Sequence, residues 1–136
     1  MQLALGVLAD PASFRNAMRG VSQVVHLAAS ARDQPAGSIE ELNGIATWRL
    51  VRAAERAGVR RFIFASGLGA SPEHRIRVLL AQSLVEEVVG ASEMETAIMA
   101  CSLVYAPGDR VQRLLARTLL ASPALPLVGT GSAEFQ

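Results

Sequence analysis

Three short apolar runs, Val21 to Leu27, Val59 to Ala65 and Thr96 to Leu103, alternate with stretches that repeat at helical spacing. Each run is too short for a stable helix and reads as a strand. Strands separated by helices of ten or more residues form βαβ units, whose right-handed crossovers place the strands parallel in one sheet. The class is α/β. A further apolar run, Leu3 to Leu8, ends at Asp10-Pro11, where Asp caps a helix and Pro fits its first position. It reads as a strand followed by a short helix, about Ala12 to Met18, that stops at Gly20.

Helix signals fill the intervals. Ser38 and Glu41 form a capping box, and Leu42, Ala46, Leu50 and Ala54 follow at helical spacing up to the stop at Gly58. A second long helix is marked by Ser71-Pro72 and runs to about Gly90. A third, amphipathic, covers about Val111 to Leu120 after the turn Pro107-Gly108-Asp109. Parallel sheets bind ligands beyond the carboxyl ends of their strands, so the candidate site lies at three tips: His26-Leu27-Ala28-Ala29, Ser66-Gly67-Leu68-Gly69 and Tyr105-Ala106-Pro107-Gly108.

Composition narrows the chemistry. With 136 residues the chain has room for one compact domain and no second full one. All 13 basic residues are arginine, so Schiff-base and P-loop chemistry are excluded. The formal charge of +1 offers no broad basic field, and nucleic acid is not expected as a partner. The single Cys101 and the two histidines, His26 and His74, lie far apart in sequence, so no metal site is expected. No apolar stretch approaches the roughly 20 residues that span a bilayer, and Met1 to Leu8 lacks the marks of a signal peptide. A soluble, cytoplasmic protein with no membrane partner is expected.

The runs Val24-Val25-His26-Leu27-Ala28-Ala29, Gly58 to Ser66 and Ser102-Leu103-Val104-Tyr105-Ala106-Pro107-Gly108-Asp109 closely resemble the extended and atypical short-chain dehydrogenase/reductases, the NAD(P)-dependent epimerase/dehydratase relatives. Asn43 with Thr47 is similar to that family's "Asn, three residues, Thr" signature. The resemblance implies a Rossmann-like three-layer sandwich with a partial parallel sheet. The family's first strand, Gly-rich turn and second strand would lie before Met1, and Leu3 to Leu8 would be its third strand. It divides the chain into a partial NAD(P)-binding domain over residues 1–106 and the start of a substrate-facing segment over 107–136. NAD or NADP is the implied cofactor, of an oxidoreductase or epimerase whose substrate the sequence does not give. Where the family has an acidic residue in the turn of its third strand, Val7 stands here, so the adenine contact does not carry over.

The family's reaction needs a Tyr, a Lys four residues on and a Ser. By the resemblance, Val78 and Gln82 hold the Tyr and Lys positions and Gly67 the Ser position, while Ala100-Cys101 replaces an Arg-Pro pair and Ala106 a Gly. No catalytic residue is therefore assigned, and the chain as it stands is expected to be an inactive form. The alternative is a non-catalytic scaffold or regulator that binds a dinucleotide or a protein. The resemblance assigns His26, Leu27, Ala28, Ala29, Asn43 and Ser66 to the cofactor cleft. Each has a plainer reading: a strand-end His26 satisfied by a carbonyl, an Asn43 serving as local backbone partner, a Ser66 bonded within a tight turn. Tyr105 reads as a half-buried aromatic with its hydroxyl bonded, and Cys101 as an inert buried thiol. The arginines Arg49, Arg52, Arg56, Arg60 and Arg61 read as a solvated face, salt-bridged to Glu41 and Glu55. Trp48 either anchors a homodimer or packs against the next helix.

With two strands missing before Met1, Leu3 to Leu8 is expected to slide in beside Val21 to Leu27. The sheet order would then be Leu3 to Leu8, Val21 to Leu27, Val59 to Ala65, Thr96 to Leu103.

Overall fold

The structure, a computed structural model, describes residues 3, 5–102 and 104–122. The chain divides into two compact units, Met1–Cys101 and Ser102–Gln136. In the first, β1 (Gln23–His26), β2 (Arg61–Gly67) and β3 (Glu95–Cys101) form an open parallel sheet in the order β1-β2-β3. Register runs from Gln23↔Arg61 to His26↔Phe64 and from Arg61↔Glu95 to Gly67↔Cys101. This is the parallel α/β arrangement that the alternation of runs predicts, and it is Rossmann-like, as the resemblance implies.

Leu3 to Leu8 does not join it. Its described residues are not in a strand, and the segment folds back on helix α1 (Pro11–Arg15) instead. Ser13 Oγ accepts from the Val7 N–H and donates toward the Val7 carbonyl, both at 2.9 Å, while the Asp10 N–H donates to the same carbonyl. These local bonds use the polar groups that strand pairing would need. Leu3 and Leu5 stay exposed, and among the described residues the outer edge of β1 has no strand beside it.

Asp10 caps α1 through the Ala12 N–H, and a 3-10 turn, Asn16–Met18, follows. The capping box forms as expected: Glu41 N–H donates to Ser38 Oγ at 3.2 Å, and Ser38 N–H to Glu41 Oε2 at 2.8 Å. The first turn it opens, Glu41–Ile45, is π-helical and leads into α2 (Ala46–Arg56). Gly58, at φ +74°, ends α2: Val59 N–H returns to the Ala54 carbonyl and Gly58 N–H to that of Glu55. α3 (Arg77–Gly90) starts later than Ser71-Pro72, because residues 71–76 are taken up in turns closed by Ser71 and His74.

The core forms where α2 and α3 meet one face of the sheet. Along β2 burial alternates, so Phe62, Phe64 and Ser66 share the covered face. Val51 and Ala54 from α2, Val85 and Val89 from α3 and Met18 close over Phe62 and Phe64. Among the described residues, no helix is long and apolar enough to cross a membrane.

In the second unit, Pro107 and Gly108 make the expected turn, with Asp109 N–H bonded to the Ala106 carbonyl. Asp109 Oδ1 accepts from the Gln112 N–H and opens α4 (Arg110–Ala121).

Candidate functional site

At the carboxyl end of β1 the backbone leaves the sheet through Leu27, Ala28 and Ala29, all exposed. Ala28, Ala29 and Ser30 line a groove of about 250 Å³ together with Leu8, Gln34 and Leu42. Asn43 fixes the wall of this groove. Its Oδ1 accepts from the Ser30 N–H at 2.8 Å, and its Nδ2 donates to the carbonyls of Ser30 at 2.9 Å and Ile39 at 2.8 Å. The π-helical turn carries Asn43 at its centre, and such turns recur where a helix must present a particular side chain. The local-partner reading of Asn43 thus extends to a residue thirteen positions away, which spacing alone did not reveal.

His26 turns inward from the last position of β1. Its ring stacks on Phe64, centroids 5.7 Å apart, and Nε2 lies 2.9 Å from Thr47 Oγ1. The partner is a hydroxyl from α2 rather than the carbonyl expected for a strand-end histidine. Burial lowers its pKa to about 4, so the ring is neutral at pH 7. Asn43 and Thr47, paired in sequence as a motif, therefore divide their work: one holds the loop after β1, the other the ring that ends the strand.

Ser66 sits at the end of β2 on the same face as Phe64. It is 3% exposed, and its Oγ has no hydrogen-bond partner among the described residues. It does not bond the turn at Gly67 and Gly69. The N–H of Gly67 is taken by Gln82 Oε1 of α3, at 3.0 Å. A Cβ on Gly67 would stand 2.7 Å from that oxygen and 2.6 Å from Leu79 Cδ2. Gly67 and Gln82, far apart in sequence, are thus packed against each other, an arrangement that sequence spacing could not disclose.

Arg77, one residue before Val78, draws the loop after β1 and the start of α2 to the start of α3. Its guanidinium holds Glu40 through Nε and Nη2, both at 2.6 Å, and Asp33 through Nη1 and Nη2, both at 3.1 Å. Those hydrogen bonds hold the Glu40 carboxyl down at about 2 and lower that of Asp33. The cluster is exposed and contributes little to stability against water and salt.

Other expectations change. Tyr105 is 66% exposed, and its hydroxyl has no partner among the described residues. It lies outside any helix or strand. Cys101, at the end of edge strand β3, is half-buried rather than buried. Trp48 is 43% exposed and, with Ile45 and Leu84, lines an apolar groove of about 340 Å³ between α2 and α3. Among the described residues no group of acidic, His and Cys side chains is placed to hold a metal.

Comparison with known proteins fits this geometry. A short-chain dehydrogenase/reductase superfamily protein from Agrobacterium tumefaciens, solved with NAD bound, is 33% identical with a TM-score of 0.60, over 73% of this chain and 37% of that one. The dTDP-glucose 4,6-dehydratase DesIV of Streptomyces venezuelae, as a double mutant with NAD bound, superposes at a TM-score of 0.74 with 21% identity, over 93% of this chain and 47% of that one. Subunit 9 of the NADH dehydrogenase [ubiquinone] 1 alpha subcomplex of Arabidopsis thaliana mitochondria is 30% identical over 128 residues, 93% of this chain and 32% of its own. The chain spans less than half the length of each of these proteins. The family described as NAD(P)H-binding matches residues 1–106, which takes in the parallel sheet, the groove after β1 and the ends of all three strands, and to that family the chain belongs.

Proposed function

We propose that the chain supplies the nicotinamide side of an NAD(P) cleft in an epimerase/dehydratase-like protein and, as it stands, performs no hydride transfer. His26 through its backbone, with Leu27, Ala28 and Ala29, would form the cleft wall, Asn43 would hold its loop in place, and Ser66 Oγ would meet the nicotinamide ribose. A buried hydroxyl without a partner supports that last assignment, because a ribose hydroxyl would satisfy it. Among the residues present, small side chains at Ala28 and Ala29 suit a close approach of the dinucleotide. Bound there, the nicotinamide would supply the hydride acceptor or donor.

The contact between Gln82 and Gly67 carries the inactive reading. Proton exchange with a substrate carbonyl needs a hydroxyl and a positioned base at these places, and here a carboxamide caps a backbone N–H instead. The loops after the three strands also lack a Gly-rich turn leading into a helix, the usual pyrophosphate holder, so binding should be weak. Titration of the full chain with NADH and NADPH by nucleotide fluorescence, alongside a turnover assay, tests both points. Weak binding, reduced further in Ser66→Ala, and no turnover are expected. Sub-micromolar binding, or turnover that Tyr105→Phe abolishes, would overturn the reading.

The partner we infer is a second copy of the chain, docked through the groove that exposes Ile45, Trp48 and Leu84. A non-catalytic scaffold needs such a surface, and an exposed tryptophan is the residue type most often found to anchor one.

A further inference from the structure

Elements far apart in sequence gather five guanidinium groups on one side of the first unit. Arg15 closes α1, Arg19 follows the 3-10 turn, and Arg49, Arg52 and Arg56 recur along α2. Arg15, Arg19 and Arg56 border a cavity of about 290 Å³ floored by Ala53 and Ala57. A smaller one of about 80 Å³ adds Arg49, Arg52 and the edge of Trp48, and shares Arg15, Ala53 and Arg56 with the first.

The salt-bridged face expected for α2 forms only in part. Arg52 Nη1 meets Glu55 Oε2 at 2.9 Å, but the other oxygen of Glu55 accepts from Ser92 Oγ. Glu41 is engaged by the capping box, and Arg49 donates to the Ala9 carbonyl at 3.2 Å. Arg15, Arg19 and Arg56 have no carboxylate within ion-pair distance among the described residues. Elsewhere in the unit Arg61 reaches Glu95, and Arg77 reaches Asp33 and Glu40. Arg32, Arg60 and Arg75 also have no carboxylate within ion-pair distance among the described residues, but they line neither cavity, so what sets the patch apart is that Arg15, Arg19 and Arg56 share one, in a chain whose net charge is only +1.

Like charges at helical spacing repel, and three such residues on α2 beside Arg15 of α1 and Arg19 after the 3-10 turn are unfavourable until an anion arrives. Guanidinium forks match phosphoryl oxygens in pairs, and the alanine floor leaves room for a compact group between them. We propose that this patch binds a compact anion carrying two or more phosphoryl groups, at a site separate from the groove after β1. The phosphoryl groups can belong to a free metabolite or to a phosphorylated lipid headgroup, which present the same chemistry to the arginines.

Calorimetric titration of the full chain with inorganic diphosphate at low salt tests this, with the emission of Trp48, the single tryptophan, as a second readout. Saturable binding is expected, with a change in Trp48 emission and steep weakening as salt shortens the screening length. Arg15→Gln/Arg56→Gln should weaken it by about tenfold or more, since each removes charge-assisted bonds. Arg32→Gln/Arg75→Gln removes the same charge from residues that line neither cavity and should leave affinity within about twofold. A parallel arm compares a soluble inositol polyphosphate with vesicles bearing that headgroup. Equal binding assigns a free anion, and vesicle binding alone assigns the lipid. No saturable binding in any arm, equal losses in the two double variants, or tighter binding of a single-stranded oligonucleotide would overturn the proposal. Circular dichroism of each variant separates lost binding from lost folding.

Discussion

His26 shows how one side chain can be read correctly as to place and incompletely as to role. A strand tip in a parallel sheet faces either the ligand cleft or the interior, and the ring goes inward onto Phe64 and Thr47. Its neutral state has a consequence for stability. The unfolded chain binds a proton at this histidine near pH 6.5, while the folded chain resists until about 4. Stability is therefore full above about pH 6.5 and falls as pH drops toward 4, by up to about 3 kcal/mol from this residue. Thermal melts between about pH 7 and pH 5.5, where carboxylates are almost wholly ionised in both states, should show the wild-type midpoint falling. In His26→Leu the slope over that window should be nearly flat, whatever the variant's absolute stability.

Between elements, the decisive contact joins the end of β2 to the middle of α3. Spacing identifies positions 67 and 82 separately, but only packing brings the Gln82 carboxamide to the Gly67 N–H. Gly67→Ser is consequently not a simple restoration of a hydroxyl. Its Cβ must displace Leu79 Cδ2 at 2.6 Å and Gln82 Oε1 at 2.7 Å, the free ends of two flexible side chains, and the cost is mainly the Gly67 N–H that loses its acceptor, about 1 kcal/mol. A lower urea midpoint with an unchanged slope is the expected result. Adding Gln82→Ala should recover little of the loss, because Leu79 stays and the N–H still lacks its acceptor. A Gly67→Ser chain as stable as the wild type would mean that Gln82 does not occupy this place in solution. Asn43 illustrates the same dependence: its spacing to Thr47 is visible in sequence, whereas the clasp on Ser30 exists only after α2 has docked beside β1.

For the molecule as a whole, the exposed groove between α2 and α3 predicts self-association. Sedimentation velocity of the full chain should show a species of twice the monomer mass that grows with concentration, and Trp48→Arg should abolish it by placing a charge in the apolar contact. A wild-type chain that stays monomeric at all concentrations would remove the second copy as partner. This surface and the arginine patch meet at Trp48, and neither Arg15 nor Arg56 lines the apolar groove, so Arg15→Gln/Arg56→Gln should leave sedimentation unchanged while it weakens diphosphate binding.

Local chemistry made much of the architecture legible. Apolar runs of strand length marked β1, β2 and β3, the Ser38–Glu41 box and Gly58 marked α2, and their alternation required a parallel sheet, because each signal acts through neighbours in sequence. The candidate tips after β1 and β2 followed from the same order. Tertiary structure decided what depends on neighbours in space. Leu3 to Leu8 had the composition of a strand, but bonds to Ser13 and Asp10 close at less cost in chain entropy than pairing with a distant edge, and the segment stays out of the sheet. Arg15 and Arg19 looked unrelated to Arg49, Arg52 and Arg56 until α1 lay against α2. A charge pattern along one helix can be read from its spacing, but a charge pattern across two helices exists only once they pack.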